Sequence, residues 1–408
     1  MQRSVRKLTQ DQTKLHNRQL VLRIIYESAV SRADIARATG LTRTTASQAV
    51  AELMAEGLVV DGGQGPSAGG KPPRLLHIVD DARHAIGVDV SGYEVRGSVF
   101  DLRGRVVHHL SLPMPSGSGG AAGSGNGDAA LSLVYRLLDQ LIAAADRPLL
   151  GVGLGVPGFL DAQQGIIHQA VNLGWRDLPL GDLLKQRYDR PVYLVNDSQA
   201  ATLAQYTFAR DGDNREDLAV LLVDRGISAG LVVHGDLYLG GGYSGASEIG
   251  HLRVVEGGEL CACGRYGCLE TVASQGAVLR QAQAIFAGHA DSKLRQFAPD
   301  AAFVDMEAIV LAYQVGDQQL AQVVRQIGHY LGIAVSSLVT VANIPLVVLA
   351  GSVAGLGDDL VRAITSEMEQ RLLPMLAERT RVKVSELGEE IIMLGAAALP
   401  LANELGIV

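Results

Sequence analysis

The chain has 408 residues, of which 48% are hydrophobic and 4% aromatic, so it can form the cores of more than one globular domain. No signal-like start is present and no uninterrupted apolar segment reaches about 18 residues, which argues against secreted and membrane-spanning classes and leads us to expect a cytoplasmic protein. The net charge of −8 is unevenly distributed, since residues 1–75 hold 11 Lys and Arg against 6 Asp and Glu. This basic segment suits contact with a phosphate backbone, although a solvated charged face is the alternative.

The first predicted element is a helix over residues 11–28. Its apolar side chains recur at helical spacing, so that one stripe can face a core. The stripe consists of Leu15, Leu20, Val21, Ile24 and Ile25.

Two short helices around Gly40 predict a helix-turn-helix. Ser31 and Asp34 have the spacing of a capping box, and Thr42 can cap a third helix that runs to about Glu56. In this motif the second helix places the side chains of its N-terminal part against base edges in the major groove. The predicted DNA contacts are therefore the hydroxyl, amide and guanidinium groups of Arg43, Thr44, Thr45, Ser47 and Gln48.

The segment after these helices predicts a wing. Residues 58–63 and 74–79 are apolar strand patterns on either side of a loop rich in Gly and Pro. Lys71 and Arg74 would then lie over phosphate or the minor groove. We predict a winged helix-turn-helix DNA-binding domain over residues 1–80, with an ordinary three-helix packing module as the alternative.

The rest of the chain predicts an α/β body. Three short apolar runs from residue 85 favour an antiparallel meander, and the low-complexity segment 116–128 is interpreted as a flexible loop. Buried-strand patterns at 149–161, 192–197, 218–224 and 345–352 then alternate with helical stretches such as 275–288, 318–343 and 357–377. This alternation predicts a mostly parallel sheet flanked by helices, arranged in two lobes with a ligand cleft between them.

All three cysteines lie within eight residues, at positions 261, 263 and 268. An odd, clustered set is no disulfide framework and points to a metal site or reactive thiols. His251, Cys261, Cys263 and Cys268 together supply one imidazole and three thiolates, a closed tetrahedral set typical of structural Zn²⁺. The alternative is a cluster of buried or redox-active thiols.

Six segments together carry a family resemblance. They are SRADIARATGLTRTTAS (31–47), GLGVPGFLD (153–161), VNDSQAA (195–201), GASEIGH (245–251), CACGRYGCLE (261–270) and LAGSVAGLG (349–357). In this order they resemble the ROK family, and within it the subgroup of sugar repressors. The resemblance implies an actin-like, sugar-kinase-type fold after the head, with a small lobe over 81–195, a large lobe with the zinc site over 196–390, and a C-terminal helix at about 391–408 packed on the small lobe.

The resemblance also implies a sugar site. Its positions carry groups that recognise sugar hydroxyls, together with one tight turn. His251 would bind zinc through one ring nitrogen and touch the sugar with the other. The implied sugar-binding residues are Gly158, Asn172, Asn196, Asp197, Glu248, His251 and Glu270.

The family's kinases use the aspartate at the position of Asp197 as general base for attack on ATP. Their phosphate loops resemble Asp-x-Gly-Gly-Thr and Thr-Gly-x-Gly-Gly-Gly, whereas this chain has DVSGY at 89–93 and RGISAG at 225–230. The lost glycines and the bulk of Tyr93 hinder backbone approach to phosphate, and Asp224 adds a negative charge that Arg225 partly offsets. ATP is therefore not an expected cofactor, and an ATP-dependent sugar kinase is the alternative function.

The expected function is a sugar-responsive transcriptional regulator that binds a double-stranded DNA operator. Its expected partners are a free sugar, with xylose and glucose the leading candidates from resemblance, and a second copy of the chain in a homodimer or dimer of dimers. Some members of the family respond to a protein instead of a sugar, so a protein effector stays open.

Overall fold

The computed structural model describes residues 9–65, 72–90, 94–114, 127–209, 216–240 and 248–407. Its N-terminal head contains three helices and a small sheet in the order β1-β3-β2. The elements are α1 (Gln10–Glu27), β1 (Val30–Ser31), α2 (Arg32–Thr39), α3 (Arg43–Ala55), β2 (Val59–Gln64) and β3 (Arg74–Ile78). The strand β1 was not predicted, because two residues carry no alternation pattern.

Local capping defines the helices of the head. Ser31 and Asp34 form the predicted capping box, and Gly40 ends α2 with a φ of +69°. Thr42 accepts a hydrogen bond from the backbone N–H of Thr45 at the start of α3. The prediction that Leu15 faces the core is wrong, since its side chain is 50% exposed. Residues 10–16 are all exposed, so this end of α1 lies outside the core, and Leu22 is buried further along.

The first lobe is built on a five-stranded sheet in the order β11-β7-β4-β5-β6. Strands β4, β5 and β6 form the predicted antiparallel meander, while β7 and β11 add in parallel. The elements are β4 (His84–Asp89), β5 (Glu94–Phe100), β6 (Val106–Pro113), α4 (Gly127–Ala144), β7 (Leu149–Val156), β8 (Phe159–Asp161), β9 (Ile166–Ala170), β10 (Trp175–Leu178), α5 (Leu180–Tyr188) and β11 (Val192–Asn196).

The second lobe repeats this sheet pattern in the order β14-β13-β12-β15-β16. Its elements are α6 (Asp197–Phe208), β12 (Leu218–Val223), β13 (Ile227–Val233), β14 (Asp236–Leu237), α7 (Leu269–Ala273), α8 (Gln275–Gly288), α9 (Met306–Gln314), α10 (Gln318–Ala342), β15 (Leu346–Ala350), α11 (Asp358–Arg371), α12 (Pro374–Arg379) and β16 (Arg381–Val384). Helix α13 (Ile391–Pro400) follows and returns to the first lobe. In each sheet two pairings are parallel and two are antiparallel. The expectation of a mostly parallel sheet is therefore wrong, because each lobe opens with a meander.

Two helices fill the space between the sheets. Helix α13 packs on β4 and β7, helix α6 packs on β12 and β13, and the two helices pack against each other. Glycines permit this close approach: a Cβ on Gly153 would lie 1.9 Å from the carbonyl oxygen of Ala396, and a Cβ on Gly395 would lie 1.7 Å from that of Ala200. The two sheets and the two helices therefore form one continuous layered body.

The head rests directly on the first lobe and on the end of the chain. Apolar residues of α1 and α3 share one core with Leu405 and Ile407. Arg103 donates a hydrogen bond to the Tyr26 carbonyl at 2.5 Å, and Arg23 donates one to the Gly406 carbonyl at 3.2 Å. The orientation of the head is thus fixed by buried apolar contacts as well as by hydrogen bonds.

The longest helix of the described residues, α10, has 25 residues and buries one apolar face against the second lobe. None of the helices that the structure describes has both the length and the apolar character needed to cross a membrane.

Candidate ligand cleft and metal centre

A cavity of about 490 Å³ lies where the two lobes meet. Its walls come from the turn after β7, the start of α6, the β12–β13 turn, the 3₁₀ turn Ile249–His251 and α7. The structure brings all seven residues of the implied sugar site to this one cavity: Gly158, Asn172, Asn196, Asp197, Glu248, His251 and Glu270. Residues separated by more than a hundred positions in sequence thus share one surface.

Gly158 makes the turn at the floor of the cavity. Its φ is +88°, and a Cβ there would lie 2.2 Å from the carbonyl oxygen of Gln169, so a side chain is excluded. The turn directs the Gly158 carbonyl at Asn196, whose Nδ2 donates to it at 3.2 Å.

Asn196 and Asp197 are positioned by the junction of β11 and α6. Asn196 caps the helix, its Oδ1 accepting from the Ser198 backbone N–H at 3.0 Å and from the Ser198 hydroxyl at 2.8 Å. Burial, together with the negative charges of Asp89 and Glu248, raises the pKa of Asp197 from 3.8 to about 7. The Asp197 carboxyl can therefore hold or release a proton near neutral pH.

Glu248, His251 and Glu270 form the opposite wall. Burial raises the pKa of Glu248 and that of Glu270. His251 Nε2 lies 3.9 Å from Glu248 Oε2, and Glu270 Oε2 accepts from the Ile227 backbone N–H at 3.4 Å. Asn172 is exposed at the rim, in the 3₁₀ turn Val171–Leu173. The wall thus offers several acceptors to a polar ligand.

The four predicted metal ligands lie together beside this wall. One ligand atom from each of His251, Cys261, Cys263 and Cys268 lies within 4.8 Å of all the others. Cys261 Sγ is 3.7 Å from His251 Nδ1, and Cys263 Sγ is 3.7 Å from Cys268 Sγ. Burial and the neighbouring thiols raise the pKa of Cys268 to about 12. This cluster could hold a metal ion, whose charge would displace the thiol protons.

The structure adds cavity residues that were missing from the predicted set. Arg96 comes from β5 and Ile392 from the first turn of α13, while Phe159 follows Gly158 directly. An arginine in an alternating strand and an isoleucine in an apolar helix carry no sequence signal for a site. Phe159 lies within a segment that carries the family resemblance, so its position next to Gly158 was the sequence signal that could have identified it.

The phosphate-loop positions are only partly described. Asp89 ends β4, and the residues 91–93 of its loop lie outside the described residues. Asp224, Arg225 and Gly226 line the cavity, and Asp224 Oδ1 accepts a hydrogen bond from the Ser352 hydroxyl at 2.9 Å. A carboxylate therefore occupies the end of the cavity next to the second loop.

The head presents the exposed face of α3. Arg43, Thr44, Ser47 and Gln48 are exposed, whereas Thr45 is half-buried with its hydroxyl 2.8 Å from that of Thr42. On the wing, Arg74 is paired with Asp61 at 2.9 Å, and Lys71 lies outside the described residues.

Comparison with known proteins finds a family model for the head and another for the body of the chain. The ROK family model matches residues 85–403, and the MarR family model matches residues 20–65. The chain is 28% identical to the xylose repressor of Bacillus spizizenii over 98% of each chain, and 33% identical to the glucokinase of Halalkalibacterium halodurans over 79% of this chain and 96% of that one.

Its fold also matches a solved structure, a ROK family transcriptional regulator described as a homologue of the Escherichia coli MLC protein. The TM-score is 0.79 at 22% identity, over 97% of this chain and 98% of that one. The predicted fold of a winged helix-turn-helix joined to a two-lobed, sugar-kinase-like body is confirmed by these matches. The chain belongs to the ROK family.

Proposed function

We propose that the chain is a sugar-responsive repressor of transcription. The observation that carries this proposal is the presence in one chain of a winged helix-turn-helix head and a polar cleft lined by all seven residues of the implied sugar site. The alignment with the xylose repressor over almost the whole of both chains supports it. The expected effector is a free sugar such as xylose or glucose, bound between the lobes.

In this proposal each wall of the cleft binds a different set of hydroxyls on the sugar. Asn196 and Asp197 bind hydroxyls from the α6 side, and Glu248, His251 and Glu270 bind them from the other. A sugar that lacks one of these hydroxyls leaves a buried carboxylate or amide without a hydrogen-bond partner. The free-energy cost of that unpaired group gives specificity. Asn172 would contact the ligand at the rim.

The cluster of His251, Cys261, Cys263 and Cys268 would hold a structural Zn²⁺. Two thiolates bound tetrahedrally at about 2.3 Å from zinc are separated by about 3.8 Å, and the Cys263–Cys268 distance of 3.7 Å fits this value. His251 would use Nδ1, which faces Cys261, and leave Nε2 towards the cleft. Four protein ligands leave no open position, so the metal would hold the wall rather than react.

Helix α13 provides a route from the cleft to the head. Its Ile392 lines the cavity, and the helix continues into Leu401–Leu405 and then Gly406, whose carbonyl binds Arg23 of α1. Sugar-dependent closure of the lobes would shift this segment against the head. In a homodimer such a shift would change the spacing of two heads, which the half-site spacing of DNA fixes.

We assign the DNA-binding domain to residues 1–80, the small lobe to 81–195 with the C-terminal helix, and the large lobe to 196–390. In this assignment the exposed side chains of α3 contact bases, and Arg74 with Lys71 contacts the backbone.

An ATP-dependent sugar kinase is the second candidate. The 33% identity to a glucokinase and the pKa of about 7 for Asp197, suited to a general base, favour it. The altered phosphate loops oppose it, because phosphoryl transfer depends on the groups that hold the triphosphate.

Fluorescence anisotropy with DNA from the upstream region of its own coding sequence tests the proposal. We expect binding that is altered about 5–150-fold by one free sugar among xylose, glucose, N-acetylglucosamine and mannose. Consumption of ATP with one of these sugars, without specific DNA binding, would establish the kinase instead. Tight DNA binding that no sugar alters would point to a protein effector.

A further inference from the structure

Two carboxylates occupy equivalent positions in the two lobes. Asp89 is the last residue of β4, and Asp224 directly follows β12. Strands β4 and β12 are the central strands of sheets that have the same order and the same pattern of pairing. Asp224 lines the interlobe cavity, and the charge of Asp89 is close enough to help raise the pKa of Asp224.

Both carboxylates are fixed by the protein. The Asp89 side chain is 1% exposed, and Asp224 is held by the Ser352 hydroxyl at 2.9 Å. Like charges that face each other in a poorly hydrated cleft repel strongly unless a cation lies between them. In many sites that cation is a metal ion.

In this protein an arginine lies beside Asp89 and lines the cavity. Arg96 Nη2 is 2.8 Å from Asp89 Oδ2, and Nη1 is 3.5 Å from Glu389 Oε2. Its side chain is 18% exposed and lines the same cavity as Asp224. The positive charge of Arg96 also opposes the rise in the pKa of Asp224 that burial causes. The guanidinium is therefore within electrostatic reach of both lobes.

We propose that Arg96 is a built-in cation that holds the carboxylates of Asp89 and Asp224 across the cleft, so that the site is organised without a metal–nucleotide complex. A guanidinium is permanently charged and can serve more than one carboxylate through its fork of donors. A nucleotide phosphate entering this end meets Asp224 and a guanidinium already bound to Asp89. We therefore expect the ligand to be an uncharged sugar, bound by Asn196, Asp197, Glu248, His251 and Glu270. This expectation rests on the proposed function.

A double-mutant cycle tests the bridge without any ligand. We expect Arg96→Met to lower the midpoint of thermal unfolding, and Asp224→Asn to restore part of that loss in the Arg96→Met background while giving no gain in the wild-type background. Arg362→Met, which removes an exposed arginine of α11, is the matched control and should leave the midpoint unchanged. Independent, additive effects of Arg96→Met and Asp224→Asn would overturn the proposal.

Ligand binding gives the second measurement, with the fluorescence of Trp175, the one tryptophan of the chain, as reporter three residues after Asn172 of the cavity. Mg·ATP should leave the unfolding midpoint and sugar affinity of the wild type unchanged, and Arg96→Met should weaken sugar binding by about tenfold or more. Tight Mg·ATP binding by the wild type contradicts the proposal. If the wild type binds no sugar, the proposed function fails, while the double-mutant cycle still decides the role of Arg96.

Discussion

At the scale of single residues, burial in the cleft raises the pKa of the Asp197 carboxyl to about 7. Its raised pKa means that the folded protein binds a proton that the unfolded chain releases near pH 3.8. This contribution to stability is complete below pH 3.8 and is lost as the pH rises through about 7. Stability should therefore fall between these two values because of this carboxyl.

Asp197→Asn should reduce that fall, because an amide stays neutral at every pH in this range. We expect a higher unfolding midpoint than the wild type above pH 7, together with weaker sugar binding from the lost acceptor. Thermal unfolding measured as a function of pH checks the first expectation. Asp182→Asn, an exposed change on α5, is the control, and an unchanged pH profile in Asp197→Asn would contradict the assigned pKa.

The metal cluster gives a second prediction at this scale. We expect the purified protein to contain one zinc per chain by elemental analysis. His251→Ala and Cys268→Ser should lose most of the metal and lower the unfolding midpoint by several degrees, because the binding free energy contributes to folding. His289 is an exposed histidine outside the cluster, so His289→Ala should retain the wild-type zinc content and unfolding midpoint. Full metal content in Cys268→Ser would exclude the Cys₃His site.

At the scale of elements, the exposed face of α3 governs the DNA prediction. Arg43→Ala and Gln48→Ala should each weaken operator binding by about 1–3 kcal/mol without changing the unfolding midpoint, because both side chains are exposed. Anisotropy with operator and with scrambled DNA separates base recognition from phosphate contact. Arg362→Ala on α11 is the control, and operator affinity equal to the wild type in both α3 variants would remove the helix from the interface.

The packing of α13 gives a prediction for the body. Gly395→Ala places a Cβ 1.7 Å from the Ala200 carbonyl oxygen, so α6 and α13 must move apart. Overpacking of this kind costs about 1–3 kcal/mol and sometimes more, and the unfolding midpoint should fall by several degrees. Gly288→Ala at the end of α8 meets no atom within 4 Å and should be neutral. Equal midpoints for the two variants would show that the helices are not in close contact.

At the scale of the whole molecule, the contact between α1 and the C-terminal segment is the expected link between ligand and DNA. Arg23→Ala removes the hydrogen bond to the Gly406 carbonyl but leaves the cleft and α3 intact. We expect unchanged sugar affinity and a smaller effect of sugar on operator affinity. Anisotropy with and without sugar measures this coupling, and an unaltered sugar response in Arg23→Ala would place the link elsewhere.

The division of charge between the head and the body is also a property of the whole molecule, and the sequence alone determines this division. The head carries a formal charge of +5, and the body carries −13. The acidic body should be repelled by the DNA that the basic head approaches, which helps to orient the molecule on it.

The helix ends of the head and the cluster of one histidine and three cysteines could be predicted because their signals are local. Ser31, Gly40 and Thr42 act on their own helix ends, and the three cysteines lie within eight residues. The cleft residues could be named through motif resemblance, but sequence gave no reason to bring Gly158, Glu248 and Glu270 to one surface. Leu15 shows the limit of periodicity, which predicts a face but not where the core ends.

The sequence by itself therefore determined the class of the head, the two-lobed body, the cluster of one histidine and three cysteines, and the separation of charge. Only the tertiary structure decided that each sheet is mixed, that Arg96 pairs with Asp89 in the wall of the cleft, and that the last residues of the chain contact α1. The physical reason is distance along the chain. Caps, turns and clustered ligands interact with near neighbours, whereas these three features depend on how separate elements pack.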